Sequence, residues 1–210
     1  MSDPPSLAPA PTATMMAGMP TDRADLAARL AAANKDDTVR GIAFNAAFDV
    51  LREHADEAAA LGCDPAGKGK RSDFLAYPVT DYLKLAWAVA DRLEPVLGGV
   101  DAAFFEMGYR CTASVLGSMV GATILTFGRK PRTILSQAPS AYKATVSYGQ
   151  RYLTWVGERH ARLEFVRDFL VVPYHRGVLQ AALDGTKAAK VNVEGRVTGF
   201  MQAVYDVTWE

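Results

Sequence analysis

Cysteine is almost missing from this chain: Cys63 and Cys111 are the only two in 210 residues. One lies in a glycine-rich loop and the other in an apolar stretch. No disulfide framework is available, and free thiols in a reducing compartment follow. Histidine is nearly as scarce. His54, His160 and His175 form no HxxxH or HxH pair, and neither cysteine belongs to a CxxC, so the usual zinc spacings are lacking and no metal site is expected. Net charge is absent as well, because 23 basic residues balance 23 acidic ones. Bulk electrostatics therefore nominates neither nucleic acid nor an anionic membrane as partner. The segment from Arg129 to Arg196 is locally basic, but most of its charges are spaced singly, as on a solvated strand face. No GxSxG, HExxH or GxGxxG occurs, and Ser114 and Ser118 have no neighbouring base.

GCDPAGKG (Gly62 to Gly69) falls one residue short of a phosphate-binding loop. Gly69 stands where the magnesium-binding hydroxyl is needed, and the stretch follows a helix rather than a strand, so its amides have no cradle scaffold.

Against these absences stands one long apolar stretch, DAAFFEMGYRCTASVLGSMVGATILTFG (Asp101 to Gly128), uncharged after Arg110. A helix apolar around most of its circumference is buried on most sides. The uncharged run reaches membrane-span length. Its serines, threonines and glycines, and the lack of a second such run, point instead to a central helix of a soluble domain. Ala113, Gly117 and Gly121 recur at i, i+4, i+8 and predict a smooth strip where another backbone approaches closely, with Phe105, Met119, Ile124 and Leu125 around it.

Around this helix the periodicity divides the chain. Residues 1–20 are proline-rich, without a basic leader, and read as a flexible tail. Residues 21–210 read as one domain. Thr21 caps a first helix ending near Asn34. Val39 to Gly62 follows at helical spacing, with Phe44, Phe48 and Leu51 on one face and Asn45, Asp49 and Arg52 on the other. Pro78 opens the next helix, and Gly98-Gly99 ends it. Pro131 starts a short helix, RTILSQA, that Pro139 is expected to stop. The period then changes to two over Tyr148 to Val156 and Ala161 to Val171, with a hairpin at Gly157 to His160. Pro173 opens a helix closed by Gly185, and strands over Lys190 to Thr198 and Phe200 to Trp209 complete a ββαββ half. The fold class is α+β: a helical half followed by an antiparallel sheet.

VRGIAFNAAFDVLR, FLAYPVTDYLKLAWAVADRL, PSAYKATVSYGQRYLTW, RDFLVVPYHRGVLQAAL and GFMQAVYDVTWE resemble a myxobacterial paralogous family of about 200 residues, catalogued as a domain of unknown function. In layout the chain is also similar to the superfamily of haem-dependent nitric-oxide sensors, vinyl-reductase-type ligand-binding domains and vesicle-tethering (TRAPP) subunits. Those sensors hold iron through a histidine in the helix before the sheet, here RTILSQA, which has none. Their Tyr-x-Ser-x-Arg propionate clamp is missing from the first hairpin, YLTWVGERHARLEF. The resemblance thus implies the layout without the haem, and no cofactor is expected. Some tethering subunits carry an acylated cysteine in an apolar tunnel, which gives Cys111 a reading beside that of an inert buried thiol.

Two functions stay open: a non-enzymatic cytoplasmic regulatory or scaffold domain binding a small apolar ligand or a protein partner, and an enzyme or cofactor protein with a pocket between the helices and the sheet. Tyr109, Cys111, Ala113, Gly117 and Gly121 on the central helix, with Tyr174 and His175 at the later helix start, are the candidate pocket residues. A base at His175 could act with Asp168. Aromatics on strands (Tyr148, Tyr152, Trp155 and Trp209) predict an exposed patch and a homodimer.

Overall fold

The computed structural model describes residues 23–55, 62–64, 66–117, 130–186 and 188–210. The proline-rich tail, the end of the second predicted helix and the stretch from Ser118 to Arg129, with Gly121 in it, lie outside the described residues. The order of elements is α1 (Arg23–Ala32), β1 (Thr38–Arg40), α2 (Gly41–Arg52), β2 (Ala76–Pro78), α3 (Val79–Leu97), α4 (Val100–Gly117), α5 (Pro131–Thr145), β3 (Gln150–Gly157), β4 (His160–Val166), α6 (Val172–Asp184), β5 (Asn192–Gly199) and β6 (Gln202–Thr208). The class is α+β. A four-stranded antiparallel sheet in the order β3-β4-β6-β5 forms the C-terminal half, and β1 pairs with β2 in a small ribbon.

Two cores are built, one on each side of α6. The helical core gathers Phe44, Phe48 and Leu51 of α2, Tyr82, Leu85 and Val89 of α3, and Phe104 and Met107 of α4, all fully buried. The second core lies on the inner face of the sheet, where Leu163 and Phe165 of β4 and Tyr205 and Val207 of β6 meet Leu135 of α5 and Leu179 and Leu183 of α6. The odd-numbered residues of β3 share this inner face, and the even ones face outward, as the two-residue period dictates. Gly98, at φ 83°, ends α3 in the left-handed conformation that suits glycine.

Some expectations change. Pro139 does not stop its helix: α5 runs on to Thr145 with Pro139 inside it. Leu135, Ala138 and Tyr142 form one face packed over the second core, and that packing outweighs one missing backbone hydrogen bond. The strand expected over Ala161 to Val171 ends at Val166, because Arg167 takes φ 55° and Asp168 turns the chain towards α6. The aromatic patch is largely internal. Tyr148 stacks edge-on against Phe169 at 3% exposure, and Trp209 packs against Trp155. Tyr152 alone of the four stands half-exposed on the outer face. Asn45 is buried, not solvated: its amide donates to Arg71 O (2.8 Å) and its oxygen accepts from Arg71 N (2.8 Å).

The close-packing strip is also elsewhere. Ala113 and Gly117 face outward, and a Cβ on Gly117 would meet no atom within 4 Å. The glycines at which one helix backbone presses on another are Gly108 of α4 and Gly177 of α6.

Candidate functional site

Beyond the Gly108 crossing, α4 and α6 are bridged by α2 and α5, and the four helices border a partly open apolar cavity of about 140 Å³. Ile42 and Ala43 of α2, Cys111, Val115 and Leu116 of α4, Ile134, Ala138 and Tyr142 of α5, and Tyr174, Val178 and Ala182 of α6 line it. Three of the sequence candidates, Cys111, Tyr174 and His175, stand in this wall. Tyr109 points the other way, its hydroxyl donating to Asp184 at 3.0 Å, and Ala113 and Gly117 lie on the outward side of α4.

The cavity has one polar end, and its residues come from four places in the chain. Asp168 sits in the turn after β4, where its carboxylate accepts from Leu170 N at 2.9 Å. Seven residues on, in the first turn of α6, His175 Nε2 donates to the same oxygen at 2.9 Å. The other ring nitrogen, Nδ1, is 2.9 Å from the Tyr142 hydroxyl. Arg151, on the inner face of β3, donates to the second Asp168 oxygen and to the Tyr148 carbonyl. The side chains of Arg151 and Asp168 are each 4% exposed. The guanidinium lies 5.1 Å from the Tyr142 ring centre, 5.4 Å from that of Tyr148 and 5.5 Å from that of Phe165, ring faces that favour a cation. Its Nε is a buried donor without an acceptor among the described residues.

Burial opposes the Asp168 charge, yet His175, Arg151 and the Leu170 amide together hold its carboxyl far below the usual range. Burial pushes the Cys111 thiol up to about 11. Burial, then the Asp168 charge, raises Tyr142 well above its ordinary value; burial first also raises Tyr174 and Tyr148. The wall therefore presents neutral phenols and a neutral thiol, with Arg151, held by Asp168, at its polar end. A neutral thiol is a poor nucleophile.

Arg151, Asp168 and Tyr142 act as a unit with His175. Sequence reasoning singled out His175 and Asp168 but missed the other two. The signal for Arg151 was its parity: it shares the inner face with Leu153 and Trp155, a charge on an apolar row. Tyr142 was hidden because the helix was expected to stop at Pro139.

The near-phosphate loop is filled by its own side chain. Asp64 accepts from the amides of Ala66 (3.1 Å), Lys68 (2.8 Å) and Gly69 (2.9 Å), and pairs with Arg71 at 2.9 Å. The amides that would cradle a phosphate hold a carboxylate instead. Among the described residues no group of metal-ligating side chains comes together, and no helix is long and apolar enough to cross a membrane.

The fold is that of solved H-NOX proteins. The S. oneidensis H-NOX protein in its Fe(II)NO state matches with a TM-score of 0.66 at 10% identity, covering 81% of this chain and 99% of that one. The Fe(II) unliganded protein from K. algicida gives 0.63 at 10% identity, covering 81% and 96%. An oxygen-binding H-NOX domain related to soluble guanylate cyclases gives 0.60 at 12% identity, covering 81% and 95%. No curated protein matches the sequence.

The cavity does not fit a haem. Haem iron takes a histidine, thiolate, methionine or tyrosinate ligand. Among the described residues around the cavity, His175 has both ring nitrogens engaged, and burial raises the Cys111 thiol and the Tyr142 phenol, which disfavours the anions that would bind iron. The free space is that of a single ring: an engineered apolar cavity of about 150 Å³ takes benzene. Over residues 32–210 the sequence matches the family described as "Protein of unknown function (DUF2378)", and the chain belongs to that family.

Proposed function

We propose that this chain is a non-enzymatic cytoplasmic regulatory or scaffold domain that binds a small apolar ligand in the cavity between α2, α4, α5 and α6. The observation that carries the reading is the cavity itself: about 140 Å³ of mostly apolar space between four packed helices. Protein interiors normally close such voids, since each forfeits dispersion contacts. Its walls come from four helices, so an occupant touches all of them and can change how they pack. The H-NOX neighbours, solved in Fe(II) and oxygen-bound states, share the layout and support a sensor-like role without supplying its ligand.

The acid–base reading rests on Asp168, His175 and Tyr142. It is the weaker one, because the hydroxyl facing the cavity belongs to a phenol that holds its proton well above neutral pH.

Benzene tests the proposal. Thermal unfolding in benzene-saturated buffer should give a higher Tm than in buffer alone, by the ordinary linkage of ligand to the native state. Ala138→Phe, which fills the space from α5, should remove that shift while leaving the protein at least as stable. An unchanged Tm for the unsubstituted protein would reject a ligand cavity.

A further inference from the structure

A second space borders the first. It is a cleft of about 490 Å³ between α2, residues 70–74 and the ends of α4 and α5. Arg40, Ile42, Val115 and Thr145 line both spaces, so the two meet at this ring of residues. A molecule that extends from the cavity past this ring comes into the cleft.

The two spaces differ in chemistry. The inner one is mostly apolar between Arg40 at its rim and the Arg151–His175 end, whereas the outer one adds Arg52 and Lys70 against Asp49 and Asp73. Asp49 is paired with Arg52 at 3.5 Å, and Asp73 accepts from the Asn45 amide at 2.6 Å. Lys70 and Arg40 have no carboxylate partner among the described residues. Arg40 is nonetheless fixed in place: Nε donates to Ala144 O (3.2 Å) and Nη1 to Phe74 O (2.5 Å), both neutral carbonyls. Its charge is thus positioned but not neutralised, at the junction of the two spaces. It also stands at the N-terminus of the 12-residue α2, whose dipole adds positive potential there.

From this junction we infer that the site takes a short amphiphilic carboxylic acid. The apolar body, about the size of one aromatic ring, fills the inner cavity. The stem passes between Ile42 and Val115, and the carboxylate meets Arg40 at the rim with Lys70 beyond it. This rests on the cavity reading above and adds the class of ligand to it.

The test compares 3-phenylpropanoate with 3-phenylpropanol by calorimetric titration of the full chain. The ratio of their dissociation constants cancels the contribution of the shared ring and stem. Arg40→Gln should shift that ratio about fivefold towards the alcohol, the size of a well-placed exposed ion pair. Arg40→Lys should keep the ratio close to that of the unsubstituted protein. As a check that needs no variant, raising the salt should weaken acid binding and leave alcohol binding unchanged. A ratio indifferent to both Arg40→Gln and salt overturns the inference. Binding of the alcohol alone overturns it too, while leaving the cavity proposal standing. Binding of neither, together with no effect of benzene, brings both down.

Discussion

Gly108 of α4 and Gly177 of α6 lie against each other's helices reciprocally. A Cβ on Gly108 would sit 2.0 Å from the carbonyl oxygen of Tyr174, and one on Gly177 would sit 2.0 Å from that of Phe105. The two helices cross backbone to backbone at this point, and the cavity-lining Cys111, Tyr174 and Val178 stand at the crossing or within a turn of it. The crossing therefore sets how far apart the walls stand.

Gly108→Ala and Gly177→Ala should each be strongly destabilising. The added methyl has no room against rigid backbone, and overpacking costs on the order of 1–3 kcal/mol or more. Gly117→Ala, with nothing within 4 Å of its Cβ, should be neutral or slightly stabilising. Urea midpoints of the three variants check this. Equal losses at Gly108 and Gly117 would mean that the crossing is placed wrongly.

Asp168 should make stability fall in acid. Its folded pKa is lowered, so the unfolded chain binds the proton first and the contribution is present above the unfolded value of about 3.9. It is lost as pH drops below about 4, towards the lowered folded value. Asp168→Asn should remove that component of the acid slope. It should also cost roughly 3–5 kcal/mol at neutral pH, because Arg151 is left buried without its counter-charge. Calorimetric Tm between pH 3 and 7 shows both; an Asn variant as stable as the parent contradicts the network.

The loop between α2 and β2 gives a third expectation. Asp64→Ala should destabilise by roughly 3–5 kcal/mol, since Arg71, side chain 3% exposed, loses its carboxylate. Magnesium-ATP should not shift the Tm of the unsubstituted protein, because the loop amides are already occupied by Asp64. A clear nucleotide-induced rise would reopen a phosphate site.

Legibility of this fold followed the range of the interactions. Helix faces such as Phe44, Phe48 and Leu51, and strand alternation such as Leu163 and Phe165, are local patterns and could be read directly. The α5 extension could not, because it depends on what Tyr142 finds across the core rather than on Pro139. The β1–β2 ribbon is only a few residues long and joins Val39 to Tyr77, too far apart in sequence for a local signal. In the candidate site, His175 and Asp168 were close enough in sequence to be suspected. Arg151 joins them only because antiparallel pairing sets it opposite Phe165. The small-residue strip misled in the opposite sense: its spacing was regular, yet the glycine that meets a backbone is Gly108, outside that register.

The most direct test of the account is a crystal of the full chain pressurised with xenon, which enters apolar space of this size. The account predicts an anomalous peak inside the ring formed by Ile42, Val115, Ala138 and Val178, and its loss in Ala138→Phe. No peak there, with those side chains closed onto one another, would contradict the claim that this fold is built around a ligand cavity.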